Sequence, residues 1–149
     1  MKVCLVGSSG GHLTHLYLLK EFWKTEERFW VTFDKPDARS ILKDEVFYHC
    51  YFPTNRHFLN LIKNTFLALK ILSKERPDLI ISSGAAVAIP FFYLGKILKI
   101  KTVYIEVFDR LDTATMTGKI VYPVTDHFIV QWEEMKKIYP KSVSLGGIF

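Results

Sequence analysis

The apolar run Val3-Cys4-Leu5-Val6 stops at Gly7 and opens directly onto Gly7-Ser8-Ser9-Gly10-Gly11-His12. A short apolar run closed by glycine reads as a buried strand. Leu13, Leu16, Tyr17, Leu19 and Phe22 follow at helical spacing and predict a helix from Leu13 to Trp23. Strand, glycine turn and helix in this order commit the chain to an α/β start. Glycines permit positive φ and close backbone approach. The first turn of the helix offers N–H groups without intrahelical partners and a partial positive charge. Together these features make an anion site, typically for phosphate. Ser8 and Ser9 add hydroxyl donors, and His12 is placed to donate to a phosphate or to act as a general base. The same residues also fit a tight turn that binds nothing, with His12 a capping or packing residue. The spacing is neither GxGxxG nor GxxxxGK[ST], which argues against a dinucleotide fingerprint and excludes a Walker loop.

The rest of the chain repeats the alternation. Strands are predicted at Arg28 to Phe33, Val46 to Phe52, Leu79 to Ser82, Thr102 to Ile105, Phe128 to Gln131 and Val143 to Leu145. The longest helix is predicted from Thr54 or Asn55, either of which could cap it, to Pro77, with Leu59, Ile62, Phe66, Leu69 and Leu72 on its apolar face. Further helices are predicted over Ala85 to Leu98, interrupted at Pro90, then Thr113 to Val121 and Glu133 to Tyr139. Strands joined by helical crossovers imply a Rossmann-like parallel sheet with helices on both faces, and the 149 residues fit one such domain. Ligands on these sheets bind at the carboxyl ends of the strands. Three segments fall there: the first glycine turn, a second turn at Ser82-Ser83-Gly84, and the stretch after Ile105. Ser83, Gly84 and Arg110 are therefore further candidates at the ligand edge.

Glu106 ends a strand at the same edge. It is a candidate base or acceptor for a sugar hydroxyl, or alternatively a helix-capping carboxylate or a salt-bridge partner of Arg110. Asp109 and Asp112 read as a solvated loop. Trp132 and Tyr139 suit either the core or a partner interface. His15, His49, His57 and His127 lack metal-ligand spacing together, and no metal or cofactor is expected. Cys4 and Cys50 lie in strand runs without CxxC spacing and read as buried thiols. The net charge of +5 is dispersed in ones and twos, without a basic block or zinc-finger spacing, so nucleic acid is not the expected partner.

Three separated motifs resemble one family. Gly7 to Leu13 is the first. Tyr104-Ile105-Glu106 with Thr117-Gly118-Lys119, Tyr122-Pro123 and Asp126 is the second. Phe128 to Trp132 with Tyr139-Pro140 and Leu145-Gly146 is the third. They resemble the bacterial capsular and exopolysaccharide glycosyltransferase subunits of PssD/CpsF type. These are similar to the membrane-recruiting subunit of the eukaryotic dolichol-linked N-acetylglucosaminyltransferase. The resemblance implies the N-terminal, acceptor-side half of a split GT-B enzyme, with a partner chain, the C-terminal half, carrying the nucleotide-sugar site. In the related single-chain peptidoglycan glycosyltransferase the glycine turn and its histidine lie at the acceptor diphosphate. That carries over onto Gly10, Gly11 and His12, with Ser8 and Ser9 beside them. Where that enzyme has His-Glu-Gln-Asn, this chain has Ile105-Glu106-Val107-Phe108, and only the glutamate matches.

The expected function is sugar transfer from a nucleotide sugar to a polyprenyl-diphosphate-linked acceptor in cell-surface polysaccharide biosynthesis, with His12 and Glu106 as candidate bases. A non-catalytic enhancer of a catalytic partner is the alternative, and a self-sufficient nucleotide-binding regulator a third. Met1-Lys2 leads straight into the first strand, which suggests a cytoplasmic chain, and Gly146 to Phe149 reads as the start of an interdomain linker. The uncharged run Leu79 to Gly95 is divided by Ser82-Ser83-Gly84 and falls short of the about 20 apolar residues a membrane span needs. Peripheral contact with the inner face of the cell membrane is expected instead, through one of two helices. One is the aromatic-rich Ala85 to Leu98. The other is the long helix bearing Arg56, Lys63, Lys70 and Lys74, unless its apolar face packs on the sheet.

Overall fold

A computed structural model describes residues 1–146; Gly147 to Phe149, and with them most of the expected linker, lie outside the described residues. The chain forms a seven-stranded, all-parallel sheet in the order β3-β2-β1-β4-β5-β6-β7. The strands are β1 (Lys2–Val6), β2 (Glu27–Phe33), β3 (Phe47–Cys50), β4 (Leu79–Ser82), β5 (Lys101–Ile105), β6 (His127–Val130) and β7 (Val143–Ser144). The strand order reverses between β1 and β4, which pair Val3 with Leu79 and Val6 with Ser82. That reversal opens a crevice at the carboxyl edge, and both glycine turns start there.

The helices are α1 (Gly11–Leu18), α2 (Lys20–Trp23), α3 (Pro36–Ile41), α4 (Phe58–Glu75), α5 (Ala88–Ile97) and α6 (Met116–Val121). The two faces of β1 sort its side chains by the period of two. Val3 and Leu5 join Leu13, Leu16, Trp23 and Trp30 in one cluster. Cys4 and Val6 join residues of α4, α5 and the strands in the other. Each fully buried large side chain contributes roughly 1.5–3 kcal/mol, and Trp23, Trp30, Phe91, Phe92 and Tyr104 are all of this kind. Burial pushes the Cys50 thiol up to about 12 and that of Cys4 higher still, so both are inert.

Several predicted elements change. The helix after the first turn is broken at Leu19 into α1 and α2. The polar stretch at Pro36-Asp37 is a helix, with Pro36 at a first position where its missing N–H costs nothing. Pro90 does not interrupt α5, because it sits in the first turn, before the hydrogen-bond ladder needs its N–H. The cap of α4 is His57, whose Nδ1 accepts from the Asn60 N–H at 3.1 Å; neither Thr54 nor Asn55 caps it.

The larger correction concerns which face of α4 is buried. The apolar stripe Leu59, Ile62, Phe66 and Leu69 is exposed, and the core receives Asn60, Asn64, Ala68, Ile71 and Leu72. The two asparagines are buried because they serve backbone. Asn64 accepts from the Tyr51 N–H at 2.8 Å and donates to the Tyr51 carbonyl at 3.0 Å. Asn60 donates to the Pro53 carbonyl at 2.8 Å. They replace the ladder that β3 loses after Cys50, and so satisfy polar groups that burial would otherwise penalise. For α5 the outcome is the reverse. Phe91 and Phe92 are fully buried, and of the three aromatics Tyr93 alone is exposed, where its hydroxyl donates to the Ile120 carbonyl at 2.7 Å. The aromatic start of α5 is therefore core, and the apolar surface that it offers is confined to its end, at Ile97 and the following Leu98 beside Lys96 and Lys99.

Candidate functional site

The first glycine turn lies where the sheet order reverses. The Gly7 N–H continues the ladder to the Val31 carbonyl at 3.1 Å. Gly10 adopts φ +79, which favours glycine, and turns the chain into α1. The first intrahelical bond runs from the Thr14 N–H to the Gly10 carbonyl at 3.0 Å, so the amides of Gly11, His12 and Leu13 precede the ladder. The Gly10 amide is already spoken for: it donates to the Asp37 carboxylate at 2.7 Å. The turn therefore binds an anionic oxygen in this structure, one supplied by the chain's own α3.

The second turn backs the first. Ser83 is buried and its hydroxyl donates to the His12 carbonyl at 3.1 Å, so it fastens α1 rather than facing the crevice. Ser82 accepts from the Gly84 N–H at 3.1 Å. Gly84, at φ +141, passes directly behind the imidazole; a Cβ here would lie 2.8 Å from His12 Nδ1 and closer still to the next ring atom. Gly84 thus makes room for the ring. His12 itself is half-buried, and its Nδ1 is buried without a hydrogen-bond partner among the described residues. Desolvation, with a smaller contribution from His15, holds its pKa below the usual histidine value, while Ser83 and Asp109 oppose this weakly. The ring is neutral at pH 7 and able to accept a proton.

His12 borders two openings. One, of about 510 Å³, is lined by Gly11, His12, His15, Thr115 and the loop Val107 to Arg110. The other, of about 310 Å³, is lined by Ser8, Ser9, His12, Lys35, Phe33 and Phe52 among others. Ser8, Ser9, Gly11, His12 and Arg110 are thus brought to the crevice. His15, given no role from the sequence, also reaches it; its position one helical turn after His12 was the available signal.

Glu106 is elsewhere. Its side chain is within a residue that is 1% exposed. The carboxylate accepts from the Val107 N–H at 3.2 Å, the Thr115 N–H at 3.2 Å, the Thr115 hydroxyl at 3.0 Å and the Tyr139 hydroxyl at 3.1 Å. Thr115 in turn caps α6 by accepting from the Gly118 N–H at 3.0 Å. Gly118 lies so close that a Cβ would be 2.5 Å from Glu106 Oε2. Burial and the Glu106 carboxylate together drive the Tyr139 phenol well above its ordinary pKa. No ion pair joins Glu106 to Arg110 among the described residues; Arg110 donates to the Thr113 hydroxyl at 3.3 Å. Tyr139 is core, and half-buried Trp132 donates to the Phe108 carbonyl at 2.6 Å. Among the described residues no group of three or more His, Cys, Asp or Glu side chains is placed to hold a metal ion.

The family model for "Oligosaccharide biosynthesis protein Alg14 like" matches residues 51–148. The chain belongs to the Alg14-like family. The match begins after β3, so the first glycine turn of this Alg14-like chain lies outside it. Curated relatives agree. The human UDP-N-acetylglucosamine transferase subunit ALG14 is 34% identical over 93 residues, covering 58% of this chain and 43% of the relative. The Yarrowia lipolytica subunit of the same name is 27% identical over 82 residues, covering 51% and 38%. The chain spans less than half the length of the curated relatives it matches. Among solved structures, Acinetobacter baumannii MurG superposes with a TM-score of 0.75 at 18% identity, over 89% of this chain and 42% of that one. A UDP-GlcNAc 2-epimerase from Methanocaldococcus jannaschii, in complex with UDP-GlcNAc and UDP, reaches 0.77 at 14%, over 99% and 47%. These likenesses carry the α/β fold of the Alg14-like chain and nothing about its ligands.

Proposed function

We propose that this chain is the acceptor-side domain of a two-chain glycosyltransferase, of PssD/CpsF kind, acting in cell-surface polysaccharide biosynthesis. A partner corresponding to the C-terminal half of a GT-B enzyme supplies the nucleotide-sugar site. The acceptor is a sugar on a polyprenyl diphosphate at the inner face of the membrane. The observation that carries this reading is His12. It is an imidazole whose pKa burial holds below the usual histidine value, set between two openings beside the first amides of α1, with a buried nitrogen that has no hydrogen-bond partner among the described residues. The α1 amides with Ser8 and Ser9 receive the acceptor diphosphate. His12 takes the proton of the acceptor hydroxyl as that oxygen attacks the anomeric carbon of the donor sugar, whose bond to the nucleotide's phosphate oxygen breaks and releases the nucleotide into the partner's site. Glu106 acts through others: it holds Val107, Thr115 and Tyr139, and so fixes the loop that forms the far wall. No helix among the described residues is long and apolar enough to cross a membrane. The exposed apolar side of α4, flanked by Lys63 and Lys70, supports peripheral contact with an anionic surface.

A second reading has its own observation. The Gly10 amide is bonded to Asp37, so part of the cradle is spent internally. That favours a subunit that recruits and stabilises a catalytic partner without doing chemistry. The test is sugar transfer to a lipid-linked acceptor by the chain alone and with its partner. Activity only in the pair is expected, and full activity of the isolated chain would overturn the two-chain reading. Near-normal turnover of a His12→Gln pair would move the assignment to the non-catalytic subunit.

A further inference from the structure

The larger opening carries more ionisable groups than one base needs. Four line it: His12 and His15 from α1, and Asp109 and Arg110 from the loop after β5. His12 and His15 are three residues apart on one helix, so their Cβ atoms lie about 5–6 Å from each other on the same face. Both are half-buried. Gly84 backs the His12 ring, and the Ser83 hydroxyl fastens the His12 carbonyl at 3.1 Å. The facing wall is fixed as well. Its loop closes through the Arg110 N–H to the Val107 carbonyl at 3.2 Å. The Val107 N–H is held by Glu106 at 3.2 Å, and the Phe108 carbonyl accepts from Trp132 Nε1 at 2.6 Å.

Asp109 is an exposed, central residue of this closed turn. Its neighbour Arg110 donates to the Thr113 hydroxyl, and among the described residues no ion pair engages Asp109. The carboxylate therefore meets the two imidazoles across the opening with its charge unspent. Burial is the first cause that lowers the pKa of both rings; His15 lowers that of His12 further, and Asp109 raises both. One imidazolium in this opening has a counter-ion. Two would share a single carboxylate and repel each other, with the Arg110 guanidinium adding a third positive charge at the same wall.

We infer that His12, His15 and Asp109 together form a site for a single proton, in which Asp109 is the counter-ion of the His12 imidazolium and His15 competes for that same carboxylate. The role rests on the proposed function given above and deepens it. His12 is the base, whereas His15 and Asp109 are positioning residues that act through its charge. His15 keeps the His12 ring free of a proton before the acceptor arrives. Asp109 stabilises the charge that appears on the ring during attack. The step needs no further group. The hydroxyl proton moves to His12 as the oxygen bonds to the anomeric carbon and the nucleotide leaves with the electrons of the broken bond. The imidazolium then gives its proton to water at the open side of the cavity.

The test is a pH titration of the histidine ring signals by NMR in the full chain, read beside the pH profile of sugar transfer by the complex with its partner. His15→Gln is expected to move the His12 midpoint up, and Asp109→Asn to move it down. In the complex the measure is turnover at about pH 6 divided by turnover at about pH 8. His15→Gln lowers that ratio and Asp109→Asn raises it, each by up to about threefold, the effect of one unit charge at about 6 Å through water. Both substitutions nearly keep side-chain size, and the same spectra show whether the variants fold. A merely structural role moves both variants in one direction. Midpoints that stay in place, or that shift the same way in both, overturn the inference even where His12→Gln abolishes transfer. Opposite shifts in a chain whose His12→Gln complex still turns over support the proton site and overturn only the catalytic use given to it.

Discussion

The turn after β1 and the loop after β5 start at the same edge of the sheet, and each carries one of the two candidate bases, His12 and Glu106. Their treatment is opposite. Glu106 is enclosed, and its two oxygens accept from two backbone amides and two hydroxyls. His12 keeps a buried ring nitrogen without a hydrogen-bond partner among the described residues and borders open space on two sides. A buried acceptor that is saturated stabilises the fold and has nothing left for a substrate, whereas an unsatisfied one costs stability that some other use must justify. On the function proposed above, Glu106 has the structural duty and His12 the ligand-facing one.

The strongest way to break that division is at His12. In the complex with a partner chain, His12→Gln is expected to lower turnover by about 10²–10⁴-fold, the usual range for a general base. Its stability should stay within about 1 kcal/mol of the parent, because volume is nearly kept. Steady-state kinetics and urea denaturation read the two effects separately. Glu106→Ala is expected to do the opposite. It leaves the Thr115 and Tyr139 donors buried and unpaired, at a cost of about 3 kcal/mol or more. Glu106→Gln keeps one accepting oxygen and costs about 1–2 kcal/mol. A Glu106→Gln complex that is as stable as the parent and inactive would return the role of base to Glu106.

How much of this was legible in the sequence depends on range. The turn could be read because strand, glycines and helix are contiguous, and Leu79–Ser82 matches its predicted strand residue for residue. The saturation of Glu106 could not, because its partners Thr115 and Tyr139 arrive from separate elements. Nor could the loss of the Gly10 amide to Asp37, which sits in a helix that the sequence presented as a polar stretch. The helices α4 and α5 show a different limit. Periodicity identifies an apolar stripe, but it does not say whether that stripe is the buried one. On α4 two asparagines face inward because β3 ends early and its continuation needs hydrogen bonds. The stripe of Leu59, Ile62, Phe66 and Leu69 is then left outside. On α5 aromatic excess looked like surface and is core, since α4 and α6 both pack against it.

A smaller effect sharpens the comparison from behind the ring. Gly84→Ala combines φ +141 with a Cβ that overlaps the His12 imidazole. It is expected to cost about 1–3 kcal/mol of stability and to lower turnover in the complex, since the ring must move. The cost should shrink when His12 is already alanine, because only the backbone strain then remains. A double-mutant cycle measures this coupling. Strict additivity would mean that Gly84 serves the turn alone and does not position the imidazole.

The smallest expected effect is on pH dependence. Burial holds the pKa of His12 below its ordinary 6.5, and that of His15 in the same direction, with Asp109 opposing both. A histidine with a lowered folded-state pKa binds its proton more readily in the unfolded chain. Its contribution is therefore present above pH 6.5 and is lost as pH falls from there through the folded value. Urea unfolding between pH 7.5 and about 5 should show falling stability, and His12→Gln should flatten part of that slope. The part that remains reports His15. Turnover in the complex should fall over the same acid range as His12 takes up its proton and ceases to be a base. Glu106→Gln should leave this acid limb where it is, since the carboxylate belongs to the loop. A limb that moves with Glu106 and not with His12 would reverse the roles of the two residues.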